Sequence, residues 1–237
     1  VAGKPFAHWQ LSHLAKTGVT HVTLAVGYLG EKIQEYVGDG AQWGLRVNYV
    51  REGNNLLGTG GALRLILKEG KLAEQFLVTY GDSYLPIHFG DVAQAFQKSG
   101  ARALMTVYRN RGQWDSSNVW WDGKRIRVYD KARSPYYAPN LDAIDYGLLA
   151  FRRDVIRAEF PTLEKADLAP VLHRLSLADE LAGWESPVRF YEIGSPEGLS
   201  ELSQRLAASD DGTIEATPAN QDPRAPRAII LDRDGVL

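Results

Sequence analysis

The sequence lacks cysteine altogether, which excludes both a disulfide framework and a thiolate metal site. It also lacks an excess of either charge, since 27 basic and 29 acidic residues leave a formal net charge of −2. We therefore expect neither a nucleic-acid partner nor a membrane-surface partner. No apolar run approaches the roughly 18 residues of a membrane span, and no signal-peptide pattern is present. These absences favour a soluble protein of the cytoplasm.

Both ends of the sequence have the character of internal segments. The first ten residues, VAGKPFAHWQ, have no initiator methionine and run directly into a helical pattern. The last ten, AIILDRDGVL, stop just after an apolar strand-like run. We therefore expect the 237 residues to be part of a longer protein. Their number suffices for one large α/β domain or two smaller domains.

Strand-like and helical patterns alternate over the first half of the chain. The expected strands are Val22–Val26, Arg46–Val50, Phe76–Tyr80 and Ala103–Tyr108. The expected helices are Phe6–Lys16, Glu31–Val37, Ala62–Leu67 and Val92–Ser99. Such alternation predicts an α/β fold with an open, doubly wound and mostly parallel sheet that helices cover on both faces.

The second half adds less regular elements. Two short strands on either side of Asp122-Gly123 predict a hairpin with a two-residue turn, inserted into the main fold. A further strand is expected at Ile144–Phe151 and a helix from Leu168 to Leu181, while Ser195 is suited to cap a helix that starts near Pro196.

Periodicity is lost after this helix, in a segment rich in Asp, Pro, Ala and Thr. We predict a main domain at residues 1–206, a linker at 207–226 and the first strand and motif of a second domain at 227–237.

The stretch LLGTGGALR, Leu56–Arg64, stands between an expected strand and an expected helix. Ligands of open parallel sheets bind beyond the carboxyl ends of the strands, so this loop is well placed to bind one. Gly58, Gly60 and Gly61 would allow a ligand to approach the backbone closely. A helix-entry turn that needs glycine only for its backbone conformation explains the pattern equally well.

Two carboxylates and a lysine follow other expected strands. Asp82 and Glu192 stand at strand ends, where Mg²⁺ could take one or two carboxylate ligands and complete its shell with phosphate and water. Lys131 ends the hairpin and could contact a phosphate as a point charge. Taken singly, each is explained as well by a turn-capping or solvated side chain. The five histidines share no common face, which argues against a histidine metal site.

Four motifs together carry a resemblance: LGTGGALR, GDSYL, DYGLLAF and YEIGSPEGL, in this order. Their order and spacing resemble those of the sugar-phosphate nucleotidylyltransferases, and most of all the branch with mannose-1-phosphate and heptose-1-phosphate guanylyltransferases. The resemblance covers Val1 to about Leu206. It implies a Rossmann-like nucleotidyltransferase fold and, with Mg²⁺, transfer of a nucleoside monophosphate from an NTP to a sugar 1-phosphate. The products would be pyrophosphate and an NDP-sugar for cell-surface polysaccharides, and a homo-oligomer would be compatible with this.

The resemblance also implies residue roles. Asp82 resembles the catalytic metal ligand, and Glu192 stands where many members have an aspartate as second ligand. Lys131 resembles a lysine that contacts the sugar phosphate, with Asp130 replacing the glutamate before it. The residues that the resemblance places beside the substrates are Glu52, Gly58, Thr59, Gly60 and Gly61 for the nucleoside, and Asp145 and Gly147 for the sugar.

One part of the family pattern is absent from this sequence. The signature loop GxGTR, followed by PK, precedes the segment that Gly3–Pro5 resembles, and it would hold the triphosphate. Without it, we expect the 237 residues alone to be inactive.

The end of the sequence carries a second resemblance. AIILDRDGVL resembles the first motif of haloacid-dehalogenase-type phosphatases, in the branch of histidinol-phosphate and heptose-bisphosphate phosphatases. The resemblance implies that Asp232 is a nucleophile and Asp234 an acid/base. An acidic turn after a short strand explains the motif without a phosphatase. If the resemblance holds, the whole protein is bifunctional.

Two other functions remain open from the sequence. A glycosyltransferase of similar sheet type would need a DxD metal motif at a central strand end, whereas GDSY has a single aspartate. A non-catalytic module that binds nucleotide or NDP-sugar would not require Asp82, Lys131 and Glu192.

Overall fold

The computed structural model describes residues 1–53, 56–113, 115–208 and 226–231. The helices there are α1 Phe6–Lys16, α2 Gly30–Val37, α3 Gly58–Lys68, α4 Phe89–Ser99, α5 Arg153–Glu159, α6 Ala169–Leu177 and α7 Pro196–Ala207. The strands are β1 His21–Val26, β2 Arg46–Arg51, β3 Gln75–Tyr80, β4 Ser83–Tyr84, β5 Ala103–Tyr108, β6 Val119–Trp121, β7 Ile126–Tyr129, β8 Ile144–Arg152, β9 Leu181–Glu185, β10 Tyr191–Glu192 and β11 Arg227–Leu231. None of the described helices has the length and apolar character of a membrane span.

Seven strands form one sheet in the order β2-β1-β11-β3-β8-β5-β9. All neighbouring pairs are parallel except those of β8, which runs antiparallel to both β3 and β5. The predicted mostly parallel α/β sheet is therefore confirmed. The strand order reverses between β1 and β3, because the chain adds β2 on one side of β1 and then continues with β3 on the other side. Such a reversal is where open α/β sheets bind their ligands.

Helices cover both faces of the sheet. On one face, Ile66 of α3, Ile156 of α5 and Leu172 of α6 share an apolar core with Phe76 and Val78 of β3. On the other face, α1, α2 and α4 pack on a second core that includes Leu77 of β3. Because side chains of a strand alternate between faces, the apolar run of β3 supplies both cores.

A third and smaller apolar cluster fixes the last helix. Trp9 of α1, Tyr84 of β4, Tyr191 of β10 and Leu202 of α7 are its main members. Ser195 begins α7 as predicted, and its hydroxyl accepts a hydrogen bond from the Gly198 N–H at 3.0 Å. This cluster holds the two-stranded ribbon of β4 and β10 against α1 and α7.

The predicted hairpin is present as β6 and β7, but its turn is longer than expected. Four residues, Asp122 to Arg125, connect the two strands. The Asp122 carboxylate accepts hydrogen bonds from the backbone N–H groups of Lys124 and Arg125, both at 2.8 Å. Aspartate therefore stabilises a wider turn than the Asp-Gly pair alone predicts.

Other elements also differ from the sequence-based expectation. Helix α3 begins at Gly58 and not near Ala62, so the glycines form its first turn. Helix α6 ends at Leu177, and the apolar run that follows is the edge strand β9. Strand β11 lies inside the main sheet, parallel to both β1 and β3. The predicted separate domain at 227–237 thus supplies its strand to the first sheet, while residues 232–237 lie outside the described part.

Buried His13 makes the stability of the fold depend on pH. Burial lowers the pKa of its imidazole from 6.5 to about 4, although hydrogen bonds to the carbonyls of Ile87 and Leu85 act in the opposite direction. Between pH 6.5 and 4 the unfolded chain takes up a proton that the folded protein excludes, so the free energy of unfolding falls as the pH falls. The full shift corresponds to about 3 kcal/mol.

Urea unfolding at pH 7, 5.5 and 4.5 measures this effect. We expect the free energy of unfolding of His13→Met to fall less between pH 7 and 4.5 than that of the wild type. The partly exposed His21 supplies the control, because His21→Asn should retain most of that decrease. An unchanged pH dependence in His13→Met would assign the acid sensitivity to other groups.

Candidate functional site

The candidate site lies at one edge of the sheet. The parallel strands β1, β2, β3, β5 and β9 all end there, at Val26, Arg51, Tyr80, Tyr108 and Glu185 respectively. The antiparallel strand β8 begins at the same edge with Ile144. Loops that are far apart in sequence therefore meet at this edge.

Asp82 lies in a tight turn between β3 and β4. Its carboxylate accepts a hydrogen bond from the Ser83 hydroxyl at 3.1 Å, and its backbone carbonyl accepts one from the Ile193 N–H at 3.0 Å. Strand β10 pairs with β4 so that Glu192 lies opposite Ser83. The structure thus brings the predicted metal ligands, Asp82 and Glu192, to neighbouring positions of one ribbon.

The chemistry of this pair of carboxylates is compatible with the magnesium ion that the sequence predicts. Mg²⁺ uses one or two carboxylates and completes its octahedral shell with water and phosphate oxygens. Within the described ranges, no group of three or more histidine, aspartate or glutamate side chains is arranged to hold a metal by itself. The two carboxylates therefore suit a metal that takes its remaining ligands from water and phosphate oxygens.

Gly147 lies beside the Asp82 turn. It occupies the irregular part of the pairing between β5 and β8, with a φ of 95° that disfavours any side chain. A Cβ atom built on it would lie 3.8 Å from the Ser83 hydroxyl oxygen. The Asp145 carboxylate fixes this conformation by accepting a hydrogen bond from the Gly147 N–H at 3.0 Å. The two predicted sugar-side residues thus form one local unit next to Asp82.

The three glycines of the GTGG turn pack against protein. The N–H groups of Gly60 and Gly61 both donate to the Ala166 carbonyl, at 2.9 and 3.3 Å. A Cβ atom on Gly60 would lie 2.3 Å from the ring of Phe160, and one on Gly61 would lie 2.6 Å from the Glu164 carbonyl oxygen.

Gly58 makes an equally close approach in this turn. Its Cβ position is 2.6 Å from the Ala166 carbonyl oxygen. Close packing against residues 160–166 therefore explains the need for glycine at all three positions. Their predicted contact with a nucleoside stays a prediction.

Glu52 stabilises the backbone just before the same turn. Its carboxylate accepts a hydrogen bond from the Leu57 N–H at 2.6 Å, just before α3 begins. A carboxylate at this position also interacts favourably with the positive end of the helix dipole. The structure gives Glu52 this structural role, and its predicted contact with the nucleoside stays a prediction.

Lys131 lies near Thr59 and outside the Asp82 ribbon. Its ammonium group is 3.8 Å from a carboxylate oxygen of Asp167, whose other oxygen accepts a hydrogen bond from the Thr59 hydroxyl at 3.1 Å. Burial raises the pKa of Asp167, but the Ala169 N–H, the Lys131 charge and the Thr59 hydroxyl outweigh it and lower the pKa overall. Lys131 is therefore held in an exposed position beside the first turn of α3.

The residue before this lysine is a structural one. Asp130 is buried, and its two carboxylate oxygens accept hydrogen bonds from the N–H groups of Ala132 and Ser134, at 3.1 and 2.8 Å. The Asp130 carboxylate thus shapes the turn that presents Lys131.

A cavity of about 490 Å³ opens beside Glu52, at the ends of β1 and β2. Its wall includes the exposed side chains of Tyr28 and Leu56. Arg51 lies at its rim and pairs with Glu31 at 2.6 Å. No motif predicts this cavity, because its lining comes from two separate strand ends.

Asp167 and Gln10 are two further residues near the site that the sequence analysis did not predict. Asp167 stands in a loop without a recognisable motif, and only the fold shows that it links Thr59 to Lys131. Gln10 did leave a signal, since it is a polar residue on the buried stripe of α1 between Phe6 and Leu14. The predicted phosphatase residues Asp232 and Asp234 lie outside the described residues.

Comparisons with known proteins show which proteins this chain resembles. Residues 1–115 match the family described as Nucleotidyl transferase. A mannose-1-phosphate guanylyltransferase of Mycobacterium tuberculosis is 34% identical over 221 residues, which cover 88% of this chain and 58% of that protein. A glucose-1-phosphate thymidylyltransferase of Streptomyces antibioticus is 28% identical over 139 residues, which cover 57% of this chain and 38% of that protein. The chain thus spans less than two thirds of the length of these relatives.

A solved structure supports the fold. A putative glucose-1-phosphate thymidylyltransferase from Bacillus anthracis superposes with a TM-score of 0.72 at 13% identity. The superposition covers 87% of this chain and 84% of the other. The shared fold is the mixed α/β architecture with a mostly parallel central sheet.

Proposed function

From the match of residues 1–115 to the nucleotidyl transferase family, we propose that the protein is a sugar-1-phosphate nucleotidyltransferase. It transfers a nucleoside monophosphate from an NTP to a sugar 1-phosphate and releases pyrophosphate. The observation that carries the proposal is the meeting of Asp82, Glu192 and Gly147 at the point where the sheet order reverses. Two carboxylates and a neighbouring glycine at this place suit a metal-dependent reaction of a sugar phosphate.

The proposed chemistry needs no general base. The attacking group is a phosphate oxygen that is already anionic, so the protein has to align it with the α-phosphorus of the NTP. Asp82 and Glu192 would hold Mg²⁺, which neutralises charge on the phosphates when it is bound. Lys131 extends from an exposed turn and supplies a positive charge for a phosphate.

The cavity beside Glu52 is the proposed site of the nucleoside. It lies at the same edge of the sheet as Asp82, and Tyr28 and Leu56 offer apolar surface for a planar base. The glycine turn fixes the start of α3, which follows Leu56 of the cavity wall closely in the sequence.

Further features of the proposal rest on the sequence. We propose that the NDP-sugar serves cell-surface polysaccharides and that the reaction takes place in the cytoplasm, where NTPs are available. The DRDG motif suggests a second, phosphatase activity through Asp232 and Asp234. In the structure, however, Arg227–Leu231 lies in the first sheet, so a phosphatase would require the same strand to begin a second sheet.

The test is product formation by the protein at its full natural length. Each of the four α-³²P-labelled NTPs is incubated with Mg²⁺ and a panel of hexose and heptose 1-phosphates, and the labelled NDP-sugar is separated by chromatography. We expect one combination to give NDP-sugar and an equal amount of pyrophosphate. Nucleotide binding without turnover would favour the non-catalytic module, and sugar transfer from an NDP-sugar would favour the glycosyltransferase.

A further inference from the structure

Gln10 is a polar residue on the buried face of α1. Phe6, Gln10 and Leu14 follow one another at intervals of four, which places them on one stripe of the helix. Gln10 is only 5% exposed. An apolar side chain would fit such a position without the cost of burying an amide.

The amide of Gln10 binds the turn that carries Asp82. Its Nε2 donates to the Tyr80 carbonyl at 2.8 Å and to the Ser83 carbonyl at 3.0 Å. These two carbonyls lie on either side of Gly81 and Asp82 in the sequence. Both amide hydrogens are therefore used to span the turn from one flank to the other.

The opposite side of the turn is held by β10. The Ile193 N–H donates to the Asp82 carbonyl, and Glu192 pairs with Ser83. Gln10 and β10 together leave the backbone at Asp82 little freedom. The amide oxygen of Gln10 is buried and has no hydrogen-bond partner among the residues described. Satisfying its own polar atoms therefore does not account for this residue.

We propose that Gln10 is a positioning residue for the metal-binding carboxylate of Asp82. This inference rests on the proposed function, because it assumes that Asp82 binds a divalent cation. A ligand that is displaced by a fraction of an ångström loses much of its contribution, so the amide that fixes the turn also sets the affinity for the metal.

His13 supplies a matched control, one turn further along α1. It is 4% exposed, and its ring nitrogen donates to the Ile87 carbonyl at 3.1 Å. Both side chains thus join the buried face of α1 to a backbone carbonyl after β3. The difference is that Ile87 lies five residues beyond Asp82, outside the turn.

The experiment compares Gln10→Met with His13→Met in the full-length protein at pH 8. Binding of Mn²⁺ alone is measured by electron paramagnetic resonance, the Mg²⁺ dependence of turnover is measured separately, and thermal unfolding is followed by circular dichroism. We expect Gln10→Met to raise the dissociation constant for Mn²⁺ and the half-saturating Mg²⁺ concentration about tenfold. We expect His13→Met to leave the Mn²⁺ dissociation constant and the half-saturating Mg²⁺ concentration within twofold of the wild type. Both variants should lower the melting temperature by similar amounts.

Equal Mn²⁺ affinity in Gln10→Met and the wild type would overturn the proposal. An equal loss of Mn²⁺ affinity in His13→Met and Gln10→Met would also overturn it, and so would a wild type that binds no Mn²⁺. If Gln10→Met does not fold, Gln10→Leu tests the same loss of the amide. Failure of the proposed function gives a different result, because Mn²⁺ binding would then still depend on Gln10 while the wild type makes no NDP-sugar.

Discussion

Replacing Gly61 by valine is expected to destabilise the fold by about 3 kcal/mol, at the upper end of the cost of overpacking a close contact. The Cβ position of Gly61 is 2.6 Å from the Glu164 carbonyl oxygen and 2.8 Å from the Leu57 Cβ. Both atoms belong to the backbone or lie next to it, so neither can move away cheaply. The branched side chain would force α3 away from residues 164–166.

Urea unfolding monitored by tryptophan fluorescence measures this cost. Lys68→Val is the matched control, because it places the same residue at an exposed position of the same helix. There we expect a loss of only about 0.5 kcal/mol, from helix propensity. Nucleotide affinity is measured in parallel, at a urea concentration of zero.

The comparison separates the two explanations that the sequence leaves open for LLGTGGALR. If Gly61→Val keeps its stability but binds nucleotide more weakly, the glycines serve a ligand directly. A large loss of stability with unchanged affinity in the folded fraction assigns them to packing.

The glycines of this turn cannot be assigned to a ligand or to packing from the sequence. A glycine reveals that something approaches the backbone closely, but not whether it is a ligand or another part of the chain. At Gly60 the neighbour is Phe160, a hundred residues away in the sequence. Only the fold can identify such a contact.

The fold itself was predictable where local patterns and packing agree. Strands β1, β2, β3 and β5 are apolar and flanked by amphipathic helices, so their pattern predicts a parallel sheet. Strand β9 was missed because Leu181–Glu185 contains no β-branched residue and follows the apolar helix α6 after only three residues.

The place of β11 could not be predicted, because strand order depends on pairing between distant segments. The apolar run of Arg227–Leu231 shows that it is a strand, but its two neighbours, β1 and β3, end about 200 and 150 residues earlier. The arrangement of the candidate site likewise depends on pairing between distant segments. The sequence predicted Asp82 and Glu192 as ligands of one metal, whereas the pairing of β4 with β10 that brings them to neighbouring positions is a property of the fold.

Asp82→Asn is expected to reduce Mg²⁺-dependent turnover about a thousandfold. Asparagine keeps an oxygen that can accept the hydrogen bond of the Ser83 hydroxyl, so the turn and the melting temperature should be preserved. It loses the negative charge, and a metal that stabilises the transition state contributes several kcal/mol, of which about 4 kcal/mol corresponds to a thousandfold in rate. Asp154→Asn is the control, since Asp154 lies in the first turn of α5, which follows the opposite end of β8, and should retain full activity. Initial rates of pyrophosphate release over a range of Mg²⁺ concentrations provide the measurement. Activity within about threefold of the wild type would show that Asp82 is not a metal ligand, because loss of a charged ligand should raise the reaction barrier by more than this.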